Sequence, residues 1–166
     1  MKEISPGVTL FTAGGTLQTP SWSALVNKLT VIDCELCNSV GGLLLWQDDF
    51  CRVVLIDDND YPGFCRVILN RHVKEMTELS AEERTRLMHK VFAVETAIRA
   101  LAAPDKINLA CLGNAVPHVH WHVIPRWRDD RHFPKPVWAP AERAAMPRPK
   151  PDARALALRL HQLIQS

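Results

Sequence analysis

Pro117-His118-Val119-His120-Trp121-His122-Val123-Ile124-Pro125-Arg126 decides how this chain is read, because three of its seven histidines fall within five residues there. In a β-strand successive side chains alternate faces, so the segment predicts a strand with His118, His120 and His122 on one face and Val119, Trp121 and Val123 on the other. The apolar face packs and the imidazole face is left for chemistry. A solvated polar face would be served as well by Thr, Lys or Glu. One catalytic zinc held by all three rings is disfavoured. At a rise of about 3.3 Å per residue the outer two lie ~13 Å apart along a strand, whereas nitrogens bound at ~2 Å converge to about 3 Å of one another.

Working outward, short β-rich runs bounded by turn residues precede this segment. Gly41-Gly42 opens Leu43-Leu44-Leu45-Trp46, Asp48-Asp49 marks a turn, and Phe50 to Ile56 reads as the second strand of a hairpin. The stretch Asp57-Asp58-Asn59-Asp60 and Pro62-Gly63 break the pattern before Phe64 to Leu69, a third run. Ser80 with Glu83 forms a capping-box signature, and Leu87, Met88, Val91, Val94, Ile98 and Leu101 recur at helical spacing until Pro104. Ile107 to Leu112 reads as another strand. Leu156, Leu160, Leu163 and Ile164 mark a last amphipathic helix after an extended Pro134 to Pro151 interval. The reading is an α+β chain: an N-terminal appendage over residues 1–30 that is a candidate for poor order, a central domain over 31–140, and a C-terminal extension with its helix over 141–166.

Composition narrows the function classes. The 166 residues are 47% hydrophobic and 23% charged, with a formal net charge of +2, which describes one compact domain able to bury its own core. No apolar run approaches the roughly 20 residues of a membrane helix. Twenty basic against eighteen acidic residues do not suggest a dedicated nucleic-acid surface. Five cysteines and no signal-like N-terminus lead us to expect a reduced, cytoplasmic protein. Cys34-Glu35-Leu36-Cys37 is read as a metal half-site or redox pair. Cys51, Cys65 and Cys111 are read as core residues, and Trp46, Trp121 and Trp138 as packing residues. His89, His132 and His161 have no constellation around them, and Arg126 reads as a surface charge.

His118-Val119-His120-Trp121-His122-Val123-Ile124 resembles the His-φ-His-φ-His-φ-φ motif of the histidine triad (HIT) superfamily. Leu112 to Pro117 resembles the phosphate-binding loop before the triad, and Asn70-Arg71-His72-Val73 the Pro-Lys-x-His segment at the end of a central strand. His132 to Trp138 is similar to the His-Phe-Pro-x-Pro-Val-Trp of bacterial members. The resemblance covers residues from about 34 to 138. It implies an antiparallel sheet of about five strands with one long helix and a C-terminal helix. It also implies a homodimer across which the sheet is doubled, and hydrolysis or transfer of nucleotides at the α-phosphate.

By motif position His120 corresponds to the nucleophile that forms a covalent nucleotidyl-histidine, and His122 to the residue contacting phosphate and leaving group. A neutral imidazole whose other N–H is held by a backbone acceptor is independently a competent nucleophile near neutral pH. Asn114 stands where better-known branches carry Gln, with a shorter reach. Gly113 and Ala115 belong to the loop whose N–H groups could receive phosphate oxygens, although Gly113-Asn114 alone also reads as an ordinary turn. Asp57 is either a ribose ligand, as an acidic residue is in the family, or a turn former in an acidic cluster. Relatives that bind zinc complete the site with residues matching Cys34, Cys37, His72 and His118. The alternative is buried thiols beside a hydrogen-bonded histidine. No organic cofactor is expected. The reading favours a hydrolase of a nucleoside phosphoramidate or dinucleoside polyphosphate. A non-catalytic nucleotide-binding module and a nucleotidyl transferase are the alternatives, and His122, where transferases carry Gln, argues for hydrolysis.

Overall fold

The computed structural model describes residues 33–165, so the expected N-terminal appendage lies outside it. In chain order the elements are α1 (Glu35–Asn38), β1 (Leu43–Gln47), β2 (Cys51–Leu55), β3 (Cys65–Leu69), a 3-10 turn (Met76–Glu78), α2 (Ala81–Ala102), β4 (Lys106–Cys111), β5 (His120–Arg126) and α3 (Ala153–Gln165). The strands form one antiparallel sheet in the order β1-β2-β3-β5-β4. This is the α+β architecture expected from the sequence. No helix among the described residues is long and apolar enough to cross a membrane.

Local chemistry sets the boundaries. The β1–β2 turn is closed by Asp48, whose Oδ1 accepts from the backbone N–H of Phe50 at 2.9 Å and of Cys51 at 2.8 Å. Gly42 enters β1 at φ +154, and a Cβ there would stand 2.7 Å from the Leu55 carbonyl oxygen, so only glycine fits. The capping box at α2 is formed in both directions: Glu83 N–H donates to Ser80 Oγ at 3.1 Å, and Ser80 N–H to Glu83 Oε2 at 2.8 Å. The helix closes on Ala103 in the left-handed region, with Pro104 behind it.

Register assigns the two faces of the sheet. Val53 pairs with Val67 and Val67 with Trp121, and this face carries the main core beneath Leu87, Val91, Val94 and Ile98 of α2 and Leu156 and Leu160 of α3. On the opposite face Arg52 pairs with Ile68 and Ile68 with His120, while Val54 pairs with Arg66 and Arg66 with His122. There a smaller cluster of Leu36, Val54 and Ile68 seats the α1 segment. Arg52 ties that segment down, donating to the Leu36, Ser39 and Val40 carbonyls and to Asn70 Oδ1 at 2.6 to 3.3 Å.

Four sequence readings are corrected here. The triad strand starts at His120 rather than His118, because Val119 N–H donates to the Val73 carbonyl and His118 N–H to that of Val116 before the β3–β5 ladder begins. Arg126 is 2% exposed rather than a surface charge, its Nε donating to Asp130 at 2.7 Å and its Nη1 to Asn108 at 2.7 Å. Burial alone would raise the Asp130 carboxyl, yet Arg126 and the His132 and Trp127 amides hold it below the usual carboxylate range. His132 does have a partner, the Tyr61 hydroxyl at 2.5 Å. Cys111 is exposed, because it ends the edge strand β4, whereas Cys51 and Cys65 are fully buried as expected.

Candidate functional site

The imidazole-bearing face opens on a cavity of about 450 Å³. His120 and His122 of β5 and Arg66 of β3 form its floor, Asn114 and Ala115 of the β4–β5 loop one wall, and Glu35 and Leu36 of α1 another. Trp138 lies at the rim and is 61% exposed, so it is not the packing residue expected of it; Trp46, buried in the core, is.

Hydrogen bonding distributes the histidine protons, because a carbonyl oxygen can only accept. His120 Nδ1 lies 2.6 Å from the His118 carbonyl and must carry its proton, which leaves Nε2 with a free lone pair. Burial lowers the pKa of His120 below the ordinary imidazole value, against the opposing effect of that hydrogen bond. His122 is pushed down to about 4, first by burial and then by the charges of His120 and Arg66, and its Nε2 has no hydrogen-bond partner. The two rings are 4.9 Å apart, centroid to centroid. Both are neutral near pH 7: His120 keeps an unshared lone pair on Nε2, which is chemically competent as a nucleophile, and His122 has an enclosed Nε2 without a hydrogen-bond partner.

His118 is turned to a different task. Fully buried, it donates from Nε2 to the Leu69 carbonyl at 2.7 Å, so Nδ1 presents a lone pair to Cys34 Sγ at 3.4 Å and Cys37 Sγ at 3.5 Å. His72 Nδ1 lies 3.3 Å from Cys37 Sγ. These four residues offer one ligand atom each, all within 4.8 Å of one another. Zinc bonds of about 2.05 Å to nitrogen and 2.3 Å to sulfur at tetrahedral angles place an N and an S roughly 3.5 Å apart. The observed spacings fit, and a Cys2His2 cluster able to hold a metal is present. Cys34 and Cys37 flank the turn that presents Glu35 and Leu36 to the cavity, so the cluster and the cavity share a wall.

Of the other residues read from the sequence, Asn114 and Ala115 reach the cavity, while Gly113 adjoins it within the same loop. A Cβ at Gly113 would meet nothing nearer than 3.8 Å and its φ is not positive, so the chain's own packing does not demand glycine there. Asp57 is not brought to the triad: its side chain is 91% exposed, pairs with Lys150, and lines a separate cavity with Asp58 and Gly63. The carboxylate that the triad cavity does contain is Glu35. Sequence reasoning missed Glu35 and Arg66. An arginine inside the apolar run Cys65-Arg66-Val67-Ile68-Leu69 was the available signal, since alternation sets it apart from the core-facing positions.

Comparison with known proteins agrees with this geometry. A histidine triad protein from Bradyrhizobium japonicum superposes with a TM-score of 0.60 at 27% identity, covering 75% of this chain and 92% of that one. One from Marinobacter aquaeolei gives 0.59 at 28% identity, covering 76% and 90%. Among characterised relatives, adenylylsulfatase HINT3 of Arabidopsis thaliana is 28% identical over 107 residues, 59% of this chain and 54% of its own. The asymmetrical bis(5'-nucleosyl)-tetraphosphatase of Schizosaccharomyces pombe is 34% identical over 74 residues, 42% of this chain and 41% of its own. The chain thus spans about half the length, or less, of these two relatives. The HIT domain pattern matches residues 41–129, more than half of the 166-residue chain, and with the fold and the triad already in place the protein belongs to the HIT domain family.

Proposed function

We propose that this protein is a nucleotide hydrolase that cleaves at the α-phosphate through a covalent nucleotidyl-His120. The observation that carries the reading is the His120 ring, buried and neutral, with Nδ1–H committed to the His118 carbonyl and Nε2 free beside the cavity. The names of the two characterised relatives, an adenylylsulfatase and a dinucleoside tetraphosphatase, support substrates with a nucleotidyl group joined to a good leaving group.

In the first step Nε2 bonds to the α-phosphorus as the bond to the leaving group breaks, and the leaving group departs with that electron pair. In the second, water attacks the same phosphorus, the P–N bond breaks, and His120 is restored while nucleoside monophosphate and a proton are released. Splitting the displacement in two lowers each barrier. Asn114 supplies an amide to the phosphate, and the backbone N–H groups of the loop around Gly113 and Ala115 receive its oxygens. His122, with a free ring nitrogen, contacts the phosphate or the departing atom.

His120→Ala should lower turnover by about 1,000-fold or more while the fold survives, because the lost group acts in the transition state. Mixing wild-type enzyme with adenosine 5'-phosphoramidate or diadenosine tetraphosphate, quenching in neutral denaturant and mapping the adduct by mass spectrometry should place one adenylyl group on His120. An adduct on His122 or His118, or full activity in His120→Gly, would refute the assignment.

Structural zinc at Cys34, Cys37, His72 and His118 is the second part of the reading. Two thiolates and two imidazoles fill a tetrahedron, so the ion would brace the α1 wall and take no part in bond cleavage. Metal analysis of protein purified without chelator should find about one zinc per chain, and Cys34→Ser should lose it with a fall in thermal midpoint. Unchanged zinc in that variant would contradict the site.

A homodimer completes the reading. β4 is an edge strand whose free backbone groups need covering, and Phe92 on the neighbouring α2 is 52% exposed. Light scattering should give twice the mass of the 18.7 kDa chain, and a monomer mass across micromolar concentrations would remove it.

A further inference from the structure

Arg52, Arg66 and Arg126 share the parity of the imidazole-bearing face; Arg126 is committed to Asp130, Asn108 and the Lys135 carbonyl, and the other two stand in opposite circumstances. Arg52 on β2 spends its donors on three carbonyls and an amide oxygen. Arg66 on β3, in register with His122, lines the cavity and has no ion pair within 4.0 Å among the described residues, and its buried Nε has no hydrogen-bond partner. Its guanidinium carbon stands over the Phe64 ring, 5.8 Å from the centroid. Glu35, on the α1 wall, acts on it through charge without an ion pair or hydrogen bond. A half-buried guanidinium whose donors are left unmatched by the chain is costly unless something else matches them. A fork of N–H donors lining the same cavity as His120 and His122 matches a phosphate or sulfate group.

We propose that Arg66 is the leaving-group anion site of this cavity, which makes the enzyme selective for nucleotidyl substrates whose leaving group departs as a polyphosphate or sulfate anion over phosphoramidates. This deepens the hydrolase reading above and rests on it. The chemistry of departure points the same way. An amine must take up a proton as its P–N bond breaks, and His122, with its pKa near 4, is a poor proton donor at neutral pH. An anion needs no proton; it needs a fixed positive charge at the point where negative charge gathers, and Arg66 supplies one in a site partly shielded from water.

The test compares wild type, Arg66→Lys and Arg66→Leu on diadenosine tetraphosphate, adenylyl sulfate and adenosine 5'-phosphoramidate. In Arg66→Leu the kcat/KM ratio of an anion-releasing substrate to the phosphoramidate should fall by about 10- to 100-fold, the loss of hydrogen bonds to a charged group. Arg66→Lys should recover part of it. A fall confined to one of the two anionic substrates identifies which anion the site holds. An equal loss on all three, or none, would overturn the proposal and leave the hydrolase reading standing. If wild type turns over none of the three, the hydrolase reading fails, and calorimetric binding of inorganic pyrophosphate decides on Arg66: about tenfold weaker binding in Arg66→Leu supports the anion site, and unchanged affinity refutes it. Equal thermal midpoints of the variants guard against unfolding as the cause.

Discussion

The 2.6 Å hydrogen bond from His120 Nδ1–H to the His118 carbonyl is the interaction on which the site depends. It sets the tautomer, and the tautomer sets which nitrogen is nucleophilic. A carbonyl two residues back along the same extended segment is available because the chain turns into β5 at this point, with Val119 bonded to the Val73 carbonyl and Leu69 N–H to that of Val119. The second buried ring, His118, is fixed by the same logic: its Nε2–H is committed to the Leu69 carbonyl, which turns Nδ1 toward the two thiols. Two adjacent histidines of one motif are thereby given different chemistry by different backbone acceptors.

The sheet keeps these roles apart through its two faces. One face of β5 sends Trp121 and Val123 toward α2 and α3, where burial of apolar surface stabilises the fold. The other carries imidazoles and arginines that such a core could not tolerate. That polar face is roofed by the α1 segment, held through Arg52, whose donors satisfy carbonyls that a four-residue helix cannot satisfy for itself. Because Cys34 and Cys37 lie on either side of Glu35 and Leu36, the Cys2His2 cluster and the cavity share that wall.

Much of this was legible before any coordinates. The triad displays its face assignment by period-2 alternation, the Ser80 and Glu83 capping box marks the start of α2, and the four members of the Cys2His2 cluster match a family pattern although they span residues 34 to 118. Residues whose role depends on register were harder. Arg66 looks like any polar position of a half-exposed strand until β3 is paired to β5, which puts it opposite His122. Glu35 is hidden inside a Cys-x-x-Cys segment whose ligands draw attention away from it. Asp57 sits in an acidic run that the sequence alone cannot orient, and the loop carries it out to Lys150. Arg126 and His132 follow the triad closely in sequence, but their partners Asp130 and Tyr61 become neighbours only through loop geometry.

The central claim is that His120 is a neutral imidazole with its proton on Nδ1 and its Nε2 lone pair free. Nitrogen NMR of protein labelled with 15N-histidine reads both properties directly. The account predicts a neutral Nδ1–H ring for His120 near pH 7, titrating with a midpoint below the ordinary imidazole value of about 6.5. A neutral ring protonated on Nε2, or a midpoint above that value, would contradict it.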